Sequence, residues 1–288
     1  MSTLSTVISA GSASQVNETI NINSAENLIT LADGRVYLKG GVNSTDLTTY
    51  PDATAGMAYS GTEFSISQIN QPASMTWDGN FFWVLDNGTT DAVHKYNASG
   101  VYQNVSWTTG NDPRGIIWDG NHFVVILSDG NVYKYNSSGV YANVTFSVAN
   151  QTSSGASGIA WDGNSFWITD YNSDNVFKYN SSGVYQNFDF SVSSQDTVPR
   201  DITYDGTYLW VLGDITDKAY KYNTSGVYQN DSFSVGSQST RAEGIVWVSS
   251  AFYVASYNNQ KVFKYQNQIG IGSQGGTEYG NQNYVRIK

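Results

Sequence analysis

Apolar residues along this chain come in short runs separated by polar turns, and the order of the runs repeats. A run ending in an aromatic and a WDG turn is followed by a run of the Phe-Trp-Val kind. Next come Val-Phe-Lys-Tyr or a variant, an Asn-Ser-Ser-Gly turn, and a last run carrying an aromatic pair. In the copy that starts at Gly158 the two halves read GIAWDGNSFWITD and VFKYNSSGVYQNFDFSV. The aromatic that opens the WDG turn falls at Trp77, Trp118, Trp161, Tyr204 and Trp247, at intervals of 41, 43, 43 and 43 residues. Runs this short, rich in β-branched and aromatic residues, predict strands. A fixed period with four such runs per copy predicts the blades of a β-propeller.

Three features support that reading. Strand b (Phe82-Trp83-Val84, Phe166-Trp167-Ile168, Leu209-Trp210-Val211) is apolar on successive residues, so both faces of each sheet are covered, as in blades packed around an axis. The Asn-Ser-Ser-Gly and Asn-Thr-Ser-Gly steps supply hairpin turns, with Gly139, Gly183 and Gly226 free to take positive φ. Strand d carries a Tyr and an aromatic five residues on: Tyr102 and Trp107, Tyr141 and Phe146, Tyr185 and Phe190, Tyr228 and Phe233. The same pair occurs early, at Tyr59 and Phe64, while the copy from Gly244 to Tyr265 lacks one. The expectation is therefore an all-β, five-bladed propeller over residues 57–268, closed by an N-terminal strand d that leaves no sheet edge open. A six-bladed alternative recruits residues 28–56, where Asp33-Gly34 and Tyr50 imitate the spacing of a WDG turn and a strand-c Tyr.

Outside the array, residues 1–56 form a small N-terminal β segment, with one hairpin expected in ENLITLADGRVYLKGGV and its turn at Asp33-Gly34. Residues 269–288 read as a Gly-rich tail ending in a short β-prone run or a frayed terminus. The first residues show neither a basic start nor a sustained apolar run, so no signal peptide is expected, and no stretch has the length of a membrane span. Net charge is -10, which argues against nucleic acid and anionic membranes as partners. There is no cysteine, hence no disulfide, thiolate metal site or cysteine nucleophile.

Candidate chemistry is sparse. His94 and His122 are the only histidines, and His94 stands at the strand-c position of Tyr133, Phe177, Tyr220 and Phe263, which reads as an aromatic in packing. The WDG aspartates (Asp78, Asp119, Asp162, Asp205) and strand-c lysines (Lys95, Lys134, Lys178, Lys221, Lys264) recur in phase and read as blade-building groups. Asn-x-Ser/Thr sequons at Asn87, Asn97, Asn136, Asn180 and Asn223 are common, but those in the turns have a turn explanation. Binding residues are better sought where the copies differ, in the d-to-a and b-to-c loops that ring the channel mouth. That selects Arg114, Arg200 and Arg241 near strand-a starts, and Asp86, Asp170, Asp214, Tyr171 and Tyr257 after strand b. Mixed Asp, Arg and Tyr can grip a sugar by hydrogen bonds and ring stacking; the competing reading is an ordinary polar surface. An enzyme using loop carboxylates such as Asp86 and Asp170 is a further alternative. No catalytic set, metal site or cofactor is expected.

The repeats resemble NHL-like, WDG-type propeller repeats. The phrases YLKGGV and TYPDAT (Tyr37 to Thr54), the WDGN...KYNSSGVYQ array and the closing YVRIK (Tyr284 to Lys288) together resemble phage virion proteins of the tail-fibre or appendage kind. The resemblance implies a non-enzymatic structural protein on the virion surface. Its N-terminal segment would attach to other virion proteins, and its propeller would decorate the particle or bind a host-surface glycan or protein, with a homo-oligomer among the expected assemblies. A free lectin-like or scaffold propeller is the alternative.

Overall fold

The computed structural model of the chain describes residues 57–152 and 154–267, together with the backbone of five short strands outside them. Contacts divide the chain into two units, one of residues Met57–Gln266 and one of Met1–Gly56 with Asn267–Lys288.

The first unit is a five-bladed propeller, each blade a four-stranded antiparallel sheet in the order a-b-c-d. Blade 1 has strands Pro72–Trp77, Phe81–Asp86, Ala92–Asn97 and Tyr102–Thr108. Blade 2 has Pro113–Trp118, Phe123–Leu127, Asn131–Tyr135 and Tyr141–Ser147, and blade 3 has Ala156–Trp161, Ser165–Asp170, Asn175–Asn180 and Tyr185–Ser191. Blade 4 has Pro199–Tyr204, Leu209–Gly213, Lys218–Tyr222 and Tyr228–Ser234. Blade 5 takes Ala242–Val248, Ala251–Ser256 and Lys261–Asn267 from the C-terminal end of the array and Met57–Ser65 as strand d.

The closing strand is locked by side chains along its length. Tyr59 packs edge-on to Phe263 at 5.8 Å and against Tyr265 at 6.1 Å. Glu63 pairs with Lys261, and the Ile66 amide donates to the Gln260 carbonyl at 2.8 Å. Since the residue number climbs on one strand as it falls on the other, the pair is antiparallel and the two ends of the propeller lie side by side.

Adjacent blades interlock through one recurring contact. The turn glycine before strand d sits against the strand-d aromatic of the preceding blade. A Cβ on Gly139 would lie 2.2 Å from Trp107, one on Gly183 2.1 Å from Phe146, and one on Gly226 2.6 Å from Phe190. Gly100 meets Phe64 at 2.1 Å in the same way, so the N-terminal strand fills the phase position its aromatic spacing predicts. These glycines also hold φ between +74 and +78, where a side chain is strained. The turn Asn caps the same hairpin: Asn180 Oδ1 accepts from the Ser182 and Val184 amides at 3.0 and 2.9 Å, and Asn97, Asn136 and Asn223 do likewise. Between blades, strand b supplies fully buried aromatics such as Phe82, Phe123, Phe166 and Trp167, each contributing roughly 1.5–3 kcal/mol by leaving water.

In the second unit, Val36–Lys39 pairs antiparallel with both Leu28–Thr30 and Tyr284–Arg286, and Ser2–Ser5 pairs with Thr19–Ile22. The expected hairpin strands therefore pair, and the β-prone end of the tail joins them in one sheet. The turn at Asp33-Gly34 and Tyr50 lie outside the described residues. Residues 28–30 and 36–39 thus belong to that sheet and not to a sixth blade, because their partner is the C-terminal strand.

Candidate functional site

The a strands line the axis, and their side chains alternate in direction. One phase position points inward: Ser74, Gly115, Gly158, Asp201 and Gly244. Space there is so tight that a Cβ on Gly115 would lie 3.1 Å from the Gly158 Cα, and one on Gly158 would lie 2.5 Å from the Asp201 Cα. The only large side chain at this level, that of Asp201, is 1% exposed. Its Oδ2 accepts from the Ser74 hydroxyl at 3.0 Å and the Ile245 amide at 2.9 Å, and its Oδ1 accepts from the Ile202 amide at 2.9 Å. Ser74 belongs to blade 1 and Asp201 to blade 4, so the carboxyl spans the axis and plugs it. Burial raises its pKa well above the usual carboxylate value, against the lowering effect of those donors, and the charge of Glu243 pushes the same way.

The residue before each axial one points to the mouth: Ala73, Arg114, Ser157, Arg200 and Glu243. Beside them stands the residue after strand b in each blade: Asn87, Ser128, Tyr171, Asp214 and Tyr257. The amide of each of these donates to a carbonyl in the d-to-a loop, those of Gln71, Asp112, Gly155, Val198 and Arg241, at 2.8 to 3.0 Å. One backbone bond, repeated in every blade, thus holds two variable positions at the same height. Between them lies an open pocket of about 480 Å³, its solvent-facing part included, lined by Arg114, Arg200, Arg241, Glu243, Tyr171 and Tyr257, with Gln71, Pro72, Ala73, Asn87 and Ser157 completing it.

Each arginine has an acid. Arg114 Nη2 donates to Asp112 at 3.0 Å, Arg200 Nη2 to Asp214 at 2.8 Å, and Arg241 Nε to Glu243 at 2.7 Å. Arg200 Nε also lies 3.6 Å from the second Glu243 oxygen. Burial weakens the Arg200 charge, but Glu243 and Asp214 outweigh it and hold the guanidinium above its ordinary pKa. The Arg241 guanidinium stacks on the Tyr257 ring at 3.8 Å.

The structure therefore brings Arg114, Tyr171, Arg200, Arg241 and Tyr257 into one mouth, with Asp214 attached through Arg200. Asp86 and Asp170 lie elsewhere. Both are buried and hold their own loops: Asp86 accepts from the Asn70, Gln71 and Gly88 amides, and Asp170 from the Asn172 and Ser173 amides. Burial raises the Asp170 pKa despite those amides. They end strand b with an inward side chain, one step before the residue that faces the mouth. Glu243 is not among the sequence candidates, although it stands in phase with Arg114 and Arg200; nor are Gln71 and Ser157, and Asn87 is singled out there only as a sequon.

The recurring charges build blades, as their phase suggests. Asp78, Asp162 and Asp205 accept the indole N–H of Trp83, Trp167 and Trp210 at 2.7 to 2.8 Å, and the lysines Lys95, Lys178 and Lys221 lie over those rings. Blade 2 has Val124 where blades 1, 3 and 4 have Trp and blade 5 has Tyr253, and there Lys134 reaches Asp119 at 3.0 Å in place of the indole. His94 is buried beside Tyr102 at 5.9 Å with neither ring nitrogen hydrogen-bonded, and burial lowers its pKa. Among the described residues no group of three or more His, Asp or Glu is placed to hold a metal, and no helix is long and apolar enough to cross a membrane.

No protein-family model and no curated protein matches the sequence. Among solved structures, the glutaminyl cyclase of Myxococcus xanthus superposes with a TM-score of 0.61 at 10% identity, over 73% of this chain and 95% of its own. A streptogramin B lyase gives 0.45 at 14% identity over 87% and 83%, and the WD40 β-propeller domain of Doa1 gives 0.45 at 11% over 68% and 63%. The first likeness is one of β-propeller fold, and at that identity it carries nothing about chemistry.

Proposed function

We propose that the chain is a non-enzymatic binding head. In this reading the propeller is displayed on a phage particle as a fibre or appendage tip, and its mouth engages a glycan or protein on the host surface. The observation that carries the binding part is convergence: every arginine of the propeller, Arg114, Arg200 and Arg241, comes from a different blade to one mouth. Residues shared by all blades serve packing, whereas these stand where the blades differ. The engagement of Asp86 and Asp170 with their own loops supports a non-enzymatic role. The virion part rests on the resemblance of the flanking phrases.

A rigid, internally plugged ring suits presentation of a single mouth per chain. The alternative, a free lectin-like module with equivalent pockets between blades, gains little from the interblade gaps, since the turn glycines there are filled by aromatics of the preceding blade. The test is to look for the chain in purified virions and to measure adsorption to host cells with Arg114→Gln and Arg241→Gln particles. Defined copy number and reduced adsorption are expected. A chain found only free, with adsorption unchanged, overturns the virion reading.

A further inference from the structure

We infer that the mouth takes a carboxylated sugar, an acidic pyranose presented on a surface saccharide. The inference rests on the binding-head reading and names its ligand.

The argument is a count of donors against acceptors. Among the described residues, Arg241 spends Nε on Glu243 and one face on Tyr257, while its two terminal nitrogens make no hydrogen bond. Arg114 spends Nη2 on Asp112; its Nη1 makes no hydrogen bond, and its Nε is buried without a partner. Gln71 and Asn87 add amide groups to the same lining. Against these donors the lining offers one carboxylate, Glu243, whose two oxygens already face Arg241 and Arg200. A pocket with surplus N–H groups is completed by a ligand that brings acceptors, and a guanidinium fork matches a carboxylate bidentately. The three arginines are balanced by Asp112, Asp214 and Glu243, so recognition runs through these short-range bonds and not through a wide positive field.

The rest of the ligand is specified by what the lining lacks. Its aliphatic side chains are only Pro72 and Ala73, which gives no apolar socket for the anchoring residue of a peptide. It does hold Tyr171, half-exposed, whose phenol donates to the Ser154 carbonyl at 3.4 Å and so keeps the ring in place. A fixed aromatic ring, amides and unpaired guanidinium N–H groups together suit a hydroxyl-rich ring bearing a carboxylate.

The experiment is a saturation-transfer NMR and calorimetric titration of the full chain with D-glucuronate and N-acetylneuraminate, set against D-glucose, N-acetylglucosamine and acetate. Saturable binding of at least one acidic sugar is expected. Arg114→Gln and Arg241→Gln should each weaken it about tenfold or more, as for loss of one charged hydrogen bond, and Tyr171→Ala should weaken it while leaving the melting temperature close to that of the parent. Glycan and peptide arrays run on the same variants separate the failures. Neutral sugars or peptides bound in a way that Arg114→Gln and Tyr171→Ala abolish overturn the acidic-sugar inference and leave the binding head standing. Binding of acetate as tight as that of the acidic sugars reduces the site to a carboxylate clamp and overturns the sugar. No mouth-dependent binding on any array overturns both.

Discussion

The Ser74 hydroxyl donates to Asp201 Oδ2 at 3.0 Å across 127 residues of chain, joining blade 1 to blade 4 over the axis of the ring. The same Ser74 oxygen accepts from the Ile116 amide at 3.3 Å, so three blades meet at this pair, and the Ile245 amide on Asp201 adds a fourth. The plug under the mouth is thus a buried acid held by neutral donors.

That arrangement sets a pH dependence. The folded-state pKa of Asp201 is raised above the ordinary 3.8 by burial, so the folded ring binds this proton more tightly than the unfolded chain. Its contribution is fully present below pH 3.8 and is lost as pH rises through the folded value. An Asp201→Asn ring, which has no charge to bury, should therefore gain stability relative to the parent as pH rises from 4 to 8. Thermal melts of both across that range check it; a difference that stays flat with pH would mean that Asp201 does not titrate out of register with the unfolded chain.

The turn glycines separate two costs. Gly120 has φ +97 with nothing within 4 Å of its Cβ direction, whereas Gly139 has φ +74 and faces Trp107 at 2.2 Å. Gly120→Ala should lose roughly 1 kcal/mol from backbone strain, and Gly139→Ala roughly 1–3 kcal/mol more from overpacking. Urea denaturation of the two variants measures the gap.

Lys134 and Lys178 occupy the same phase but different chemistry. Lys134 is the ion partner of Asp119, with side chains 13% and 8% exposed, while Lys178 lies over Trp167 at 4.7 Å and Asp162 is served by the indole. Replacing Lys134 by Met leaves Asp119 Oδ2 without its partner, while Oδ1 keeps the Asn121 and His122 amides, and should cost roughly 1–3 kcal/mol. Lys178→Met should cost less than roughly 1 kcal/mol. Adding Val124→Trp to Lys134→Met should recover part of the loss, because an indole then reaches Asp119 as in blades 1, 3 and 4.

Truncation tests the closure. A chain beginning at Met57 and ending at Asn267 retains every blade strand and should give a monomeric β signal with a cooperative melt. Beginning instead at Ile66 removes Tyr59 from Phe263 and Tyr265, takes Phe64 from the Gly100 turn, and bares the Lys261–Asn267 edge. That shorter chain should aggregate or elute as larger species on size exclusion.

Sequence by itself determined the repeat: strand order, turn glycines and the early Tyr59 and Phe64 that complete the last blade were legible because they follow local chemistry repeated at a fixed period, while the choice of five blades over six needed the pairing of residues 36–39 with the C-terminal strand. It also separated variable loop positions from recurring ones, which was enough to find Arg114, Arg200 and Arg241. Only the tertiary structure decided which way neighbouring side chains face. Arg200 and Asp201 are adjacent in the chain, yet alternation along strand a sends one to the mouth and the other to the axis. The same alternation turns Asp170 inward to its loop and Tyr171 outward to the pocket. Glu243 becomes the shared partner of Arg200 and Arg241 only when blade 5 packs on blade 4 and brings residues about 43 positions apart side by side, a proximity that no local pattern encodes.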